Sequence, residues 1–180
     1  MEIEQALRNF LTGVVRRRPP TIRATLNAAH RAYGTWRAVA GVMGVSERTL
    51  RRIRAGLVSP RSRARIADLS RDPAVRQASV TPAAMRRLVR MQTNDTRVAI
   101  TAVQGPVGFG RQDYTRERMI DFTIPPDIMV PIADAFFSGD DVEAVSLFRD
   151  AIMSEYGENR IGGIQDWEID PDTAQIDMQV

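Results

Sequence analysis

The sequence predicts an α+β protein: an all-helical, helix-turn-helix N-terminal domain followed by a small β-β-α-α-β-β domain. Three observations predict it. Residues 35–56, TWRAVAGVMGVSERTLRRIRAG, set small, apolar and capping residues at the offsets that a sharp two-helix turn requires. Charge divides the chain: residues 1–97 hold 20 Arg against 6 acidic residues, a net of +14, and residues 98–180 hold 5 against 16, a net of −11. After Thr93 the apolar period changes from that of helices to that of strands. The domains are expected at 1–92, helical and DNA-binding, and 96–180, acidic and mediating dimerisation or partner binding.

In the two-helix segment, Gly44 falls where the turn needs a backbone free to take positive φ. Val39 and Met43 before it, and Val45, Leu50 and Ile53 after it, face inward. Ala40 is small where the helices come closest. Ser46 is placed to cap the second helix, and Gly56 lies just past its end. The outer face of that helix carries Glu47, Arg48, Arg51 and Arg52, with Arg54 at its flank. The planar fork of arginine suits phosphate and the guanine edge, because it donates two hydrogen bonds at once. Spacing alone also fits a buried helical hairpin that touches no nucleic acid. The clustered positive charge argues for an anionic partner. The expected DNA-binding set is Ser46, Glu47, Arg48, Thr49, Arg51, Arg52 and Arg54, with Arg61 and Arg63 on the following helix.

Composition narrows the chemistry. The 180 residues can bury a real core. With no cysteine and one histidine, His30, thiolate zinc sites, a cysteine nucleophile and multi-histidine metal sites are excluded. No metal or cofactor is expected. All 25 basic residues are arginine. No apolar run reaches membrane-spanning length and no signal peptide opens the chain, so a cytoplasmic, nucleoid-associated protein with no membrane partner is expected.

The elements follow in order. Residues 2–15 carry Ile3, Leu7, Phe10, Leu11 and Val14 on one helical face, and RRRPP breaks that helix as a stiff basic linker. Thr21 caps a helix over 22–33 that ends at Gly34, and Thr35 caps the first helix of the motif. Ser59-Pro60 opens a helix over 60–69, with Ile66 and Leu69 inward and Arg61, Arg63 and Arg65 around it. Thr81-Pro82 opens another to about Met91. Val98, Ile100 and Ala102 alternate as a half-buried strand, and residues 104–114, with GPVGFG, read as a loop. Residues 118–124 form a second strand, stopped by Pro125-Pro126. Ile128, Ile132 and Phe136 share one side of a helix over 127–138. Gly139 ends it, and Asp140 or Asp141 caps the next helix, to about Tyr156. Residues 162–169 and 174–180 read as a final hairpin around Asp170-Pro171-Asp172.

Other features have ordinary explanations. No GK[ST] helix follows GPVGFG, so a phosphate loop is disfavoured. Asp140, Asp141 and Glu143 sit at a helix start, where negative charge offsets the macrodipole. Trp36 and Trp167 read as core anchors, and His30 as a solvated or packing residue. No grouping of base and nucleophile supports hydrolase chemistry, so a non-enzymatic protein is expected. Tyr114 and Thr115 stand apart: both are hydroxyls at the exit of the glycine-rich loop, beside Arg111, Arg116 and Arg118. A hydroxyl there could accept a nucleotide; the plainer reading is a loop entering a strand.

Two family resemblances follow from these motifs. RMIDFTIPPDIMVPIADAFFSGDDVEAVSLFRDAI resembles a ribbon-helix-helix unit, which implies dimerisation by strand pairing. The whole chain resembles the telomere terminal proteins that cap linear chromosomes and plasmids of actinobacteria. The match runs from RAVAGVMGVSERTLRRIRAG through the arginine-rich helices to IDFTIPP and the tail TAQIDMQV. The resemblance implies a protein that caps DNA 5′ ends and primes end replication from a hydroxyl, with Thr115 or Tyr114 by position the nucleotide-attachment site. Implied partners are double-stranded or terminal DNA, a second copy as homodimer, and a DNA polymerase or telomere-associated protein. Two alternatives remain: a dimeric helix-turn-helix repressor or plasmid-maintenance factor without covalent chemistry, and a module that uses DNA to tether its acidic half to other proteins.

Overall fold

A computed structural model describes residues 3–13, 21–107, 116–154, 166–169 and 174–180. Seven helices come first: α1 (Ile3–Thr12), α2 (Ile22–Tyr33), α3 (Trp36–Val42), α4 (Glu47–Arg54), α5 (Pro60–Arg71), α6 (Pro73–Ser79) and α7 (Pro82–Met91). Strands β1 (Thr96–Val107) and β2 (Arg116–Ile124), helices α8 (Pro126–Ser138) and α9 (Asp141–Ile152), and strands β3 (Asp166–Ile169) and β4 (Gln175–Gln179) follow. The fold class is α+β.

Local chemistry sets the helix starts. Thr21, Thr35, Ser46, Ser59, Asp72, Thr81 and Asp140 each accept a hydrogen bond from the backbone N–H three residues on. After Ser59, Asp72 and Thr81 a proline takes the first helical position, where no N–H is needed. The Asp72-Pro73 start creates α6, a helix beyond those the sequence reading assigns. Of the two acidic candidates before α9, Asp140 is the cap, and it leaves Asp141 free for another task.

The sheet is antiparallel, with β1 in the middle. β2 pairs along one side of it, from Thr96↔Ile124 to Gln104↔Arg116. The other side is shared end to end: β4 pairs residues 97–101, and β3 pairs residues 104–107. This corrects the expected terminal hairpin. Both strands run antiparallel to β1, so they lie in line and pair with β1. It also corrects the loop expected from Gln104, because Gln104–Val107 continue the strand. Pro106 has no N–H to give, and it falls within the stretch of β1 that pairs with β3. Ile120 and Phe122 face the core, whereas Met119 is 67 % exposed on the other face.

Two apolar cores form. Leu26 and Ala29 of α2, Val39 and Met43 of α3, Leu50 and Ile53 of α4, Ile66 and Leu69 of α5 and Val75 of α6 make the first. The second joins the sheet (Val98, Ile100, Ile120, Ile124, Met178) to α8 and α9 through Met129, Ile132, Phe136 and Phe148. It also takes Ile3, Leu7, Phe10 and Leu11 of α1, with Met91 of α7. The buried faces of α1 and α7 thus share a core with the sheet, α8 and α9. The cause is the amphipathic face of α1, whose large side chains are buried against α9 and β4.

Arginines of the first core reach Asp141 of the second. Arg76, 1 % exposed, donates from Nη2 to Asp141 Oδ2 at 2.6 Å. Its Nη1 donates to the Phe136 carbonyl, and its guanidinium lies 4.4 Å from the Phe136 ring centroid. Arg71 Nε and Arg8 Nη2 approach the same Asp141 oxygen at 3.5 and 4.0 Å. Beside this cluster, Gly139 ends α8 at φ +99°, and a Cβ there would lie 2.6 Å from the Arg71 carbonyl oxygen. Only glycine meets both demands.

Within the first core, Tyr33 donates to Asp72 Oδ2 at 2.6 Å while Asp72 Oδ1 caps α6. The hydrogen bond to this carboxylate, with some burial and charge repulsion, pushes the Tyr33 hydroxyl up to about 12. The phenol is favoured neutral in the folded protein, so this contribution to stability is complete below pH ~10 and is lost as pH rises toward 12. In an ultraviolet titration, one of the 3 tyrosines should ionise late, and Asp72→Asn should return it toward 10. An unchanged titration in that variant would contradict the assignment.

Candidate nucleic-acid interface

Helices α3 and α4 are joined through Met43–Ser46, with Gly44 at φ +60°. Val45 N–H bonds the Ala40 carbonyl and closes the turn. Arg65 of α5 donates from Nη1 to the Gly44 carbonyl, so the third helix holds the turn from outside. Val39, Ala40 and Met43 are buried on one side of the turn and Leu50 and Ile53 on the other. This inward set leaves the opposite side of α4 in solvent.

The candidate residues separate by role. Ser46 accepts from Thr49 N–H at 3.1 Å, and the two hydroxyls lie 2.9 Å apart. They shape the N-terminus of α4, and both remain within reach of a ligand there. Glu47 is exposed, 3.9 Å from Arg37 of α3. Arg48, Arg51 and Arg52 are exposed and have no partner among the described residues. Arg54 is different: its guanidinium sits 3.7 Å over the Trp36 ring. His30 lies against the same ring, with centroids 4.3 Å apart. Trp36 thus anchors Arg54 and packs against α2.

Arg61 and Arg63 are exposed on α5. Arg63 lines a cleft of about 620 Å³ with Arg23, Arg54 and Trp36, over a floor that includes Ile22, Leu26, Ile53 and Val58. The fold therefore gathers Arg23, Arg54 and Arg63 from three helices at one end of α4. Arg23 and the Arg65 brace are not visible in the motif, because Arg65 lies 21 residues from the carbonyl it holds. Thr115 and Tyr114 lie outside the described residues, in the connection between β1 and β2.

The exposed face of the sheet differs in charge. Arg97 of β1 pairs with Asp121 of β2 through Nε and Nη2. The hydrogen bond from Arg97 holds the Asp121 carboxyl below the usual carboxylate range. Asp177 adds a further carboxylate near Arg97. The strand that resembles a ribbon thus has its central acid matched within the chain. Among the described residues, no group of acidic or histidine side chains could hold a metal ion, and no helix is long and apolar enough to cross a membrane. No family model, curated protein or solved structure matches the chain.

Proposed function

We propose that the chain is a double-stranded DNA-binding protein whose helices α3 and α4 act as a helix-turn-helix, with α4 in the major groove. The observation that carries this reading is the outer face of α4: three arginines without a side-chain partner among the described residues, on a helix braced by a capped turn and by Arg65. Such a face repels itself in isolation and is offset by a polyanion. Arg61 and Arg63 extend the basic surface and suit phosphate contacts, which position the duplex without reading sequence.

The resemblance to telomere terminal proteins adds the setting: DNA ends of a linear replicon. In that role Thr115 or Tyr114 supplies a hydroxyl oxygen that bonds to the α-phosphorus of an incoming nucleotide, pyrophosphate leaves, and a separate polymerase carries out the transfer. The protein then serves as primer and remains on the 5′ end. The rival is a dimeric repressor or plasmid-maintenance factor that binds DNA in the same way without this chemistry.

The double change Arg51→Ala with Arg52→Ala tests the interface. Each arginine making a good base contact is worth about 1–3 kcal/mol, roughly 5- to 150-fold in affinity. Arginines bound only to phosphate would instead reduce the salt slope by about 1 each. Binding titrations at several salt concentrations separate these outcomes, and wild-type behaviour at every salt would remove α4 from the interface. Labelling with a cognate polymerase and radioactive nucleotide tests the priming role. Thr115→Ala is expected to abolish label while DNA binding persists, with Tyr114→Phe as the matched control. Unlabelled wild-type protein would favour the repressor.

A further inference from the structure

A cavity of about 270 Å³ lies where α1 meets α2, α5 and α6, at the seam between the two cores. Its volume is just below the about 300 Å³ at which small-molecule sites begin. Among the described residues three arginines line it, Arg8, Arg31 and Arg76, and no carboxylate does. Amides and hydroxyls, among them Gln5, Asn27 and Thr25, complete the polar wall.

The arginines are not equivalent. Arg76 is committed to Asp141 and to the Phe136 carbonyl. Arg31 gives Nε and Nη2 to the Ala78 carbonyl at 3.1 and 2.9 Å, which fixes its guanidinium and leaves Nη1 without an acceptor among the described residues. Arg8 is 13 % exposed; its guanidinium lies 5.5 Å from the Phe136 ring centroid, and among the described residues its Nη2 alone meets carboxylates, Glu4 at 3.1 Å and Asp141 at 4.0 Å. Its Nε and Nη1 donors have no acceptor among the described residues, although the side chain is largely out of water. Arg8 lines the cavity, and a planar guanidinium fork with two open donors is best satisfied by an oxyanion.

We propose that this cavity binds a small organic anion. Its phosphate or carboxylate head would lie against Arg8 and Arg31, and a hydroxylated body against Thr25, Asn27 and Gln5. The site is separate from the outer face of α4 and does not depend on DNA binding. Because α1 belongs to one core and α2 to the other, an occupant touches both and stabilises their junction.

The test is thermal unfolding of the full chain with glycerol 3-phosphate and, separately, malate, against sodium chloride at equal ionic strength. The two probes distinguish a phosphate from a carboxylate head. At ten times its dissociation constant, a fitting anion should raise Tm by about 3–6 °C. Arg8→Gln should remove the shift. So should Ala24→Glu, which puts a carboxylate in the cavity wall at a helix start that favours one. If Arg8→Gln fails to fold, Ala24→Glu carries the test alone. The proposal is overturned if neither probe shifts Tm beyond the salt control, or if the shift survives the variants. A shift kept in Arg8→Gln but lost in Arg51→Ala with Arg52→Ala would place the anion on α4 and also overturn it.

Discussion

Asp141→Ala is expected to destabilise the protein by about 3–5 kcal/mol, the range for removing one partner of a buried ion pair. The loss follows from what remains. Arg76 stays 1 % exposed with its charge uncompensated, and Arg71 and Arg8 lose the same oxygen. Water cannot readily replace the carboxylate, since the guanidinium is packed over Phe136. For a chain of this length the change corresponds to a fall in Tm of roughly 6–20 °C. Replacing both partners, Arg76→Met with Asp141→Leu, should recover much of the loss, because burying two charges costs nearly as much as their attraction returns. A remaining deficit is expected from the Phe136 carbonyl, which loses its donor. Chemical denaturation of the two single variants and the double variant measures the coupling. Simple additivity would show that the pair does not join the cores.

A fragment of residues 96–180 should fail to unfold cooperatively, and a fragment of residues 21–80 should fold. The first lacks α1 and α7, so the faces covered by Leu7, Phe10, Leu11 and Met91 are left open. Each such side chain contributes about 1.5–3 kcal/mol when fully buried, and the deficit of about 6–12 kcal/mol is comparable with the whole stability of a small domain. The second fragment contains every buried residue of the other core, from Leu26 to Val75. Circular dichroism melts of both decide the matter. A sharp transition in 96–180 would show that the sheet and its two helices need no help from α1.

What could be read from the sequence was local. The caps at Thr21, Thr35, Ser46, Ser59 and Thr81 are encoded within three residues of the N–H they satisfy, and each appears as the spacing indicates. The same holds for the inward positions around Gly44, because a turn of that tightness leaves few alternatives. Asp72-Pro73 carries the same signal, but between two short helices it has little apolar period to support it. Partners distant in the chain were not legible. The apolar face of α1 states that it will be buried but not against what. Arg76 and Asp141 are 65 residues apart, and nothing in either segment marks the other. The last two strands failed as a hairpin because Asp170-Pro171-Asp172 resembles a turn, whereas pairing is decided by the free edge of β1. At the candidate interface, the outward arginines of α4 were legible from helical period alone. The Trp36 stack under Arg54 and the Arg65 brace depend on tertiary approach.

The placement of α1 has a consequence for the order of events during synthesis. Residues 21–80 hold a complete core and can close while the rest of the chain is still being made. Helix α1 leaves the ribosome before them, yet it packs against α9 and β4, near the other end of the sequence. At about 5–20 residues per second, its apolar face waits on the order of ten to thirty seconds for those partners. During that interval Ile3, Leu7, Phe10 and Leu11 lack the surface that buries them in the finished protein. A chaperone that binds short apolar helices would therefore engage this nascent chain at α1, and would release it only once β4 had emerged.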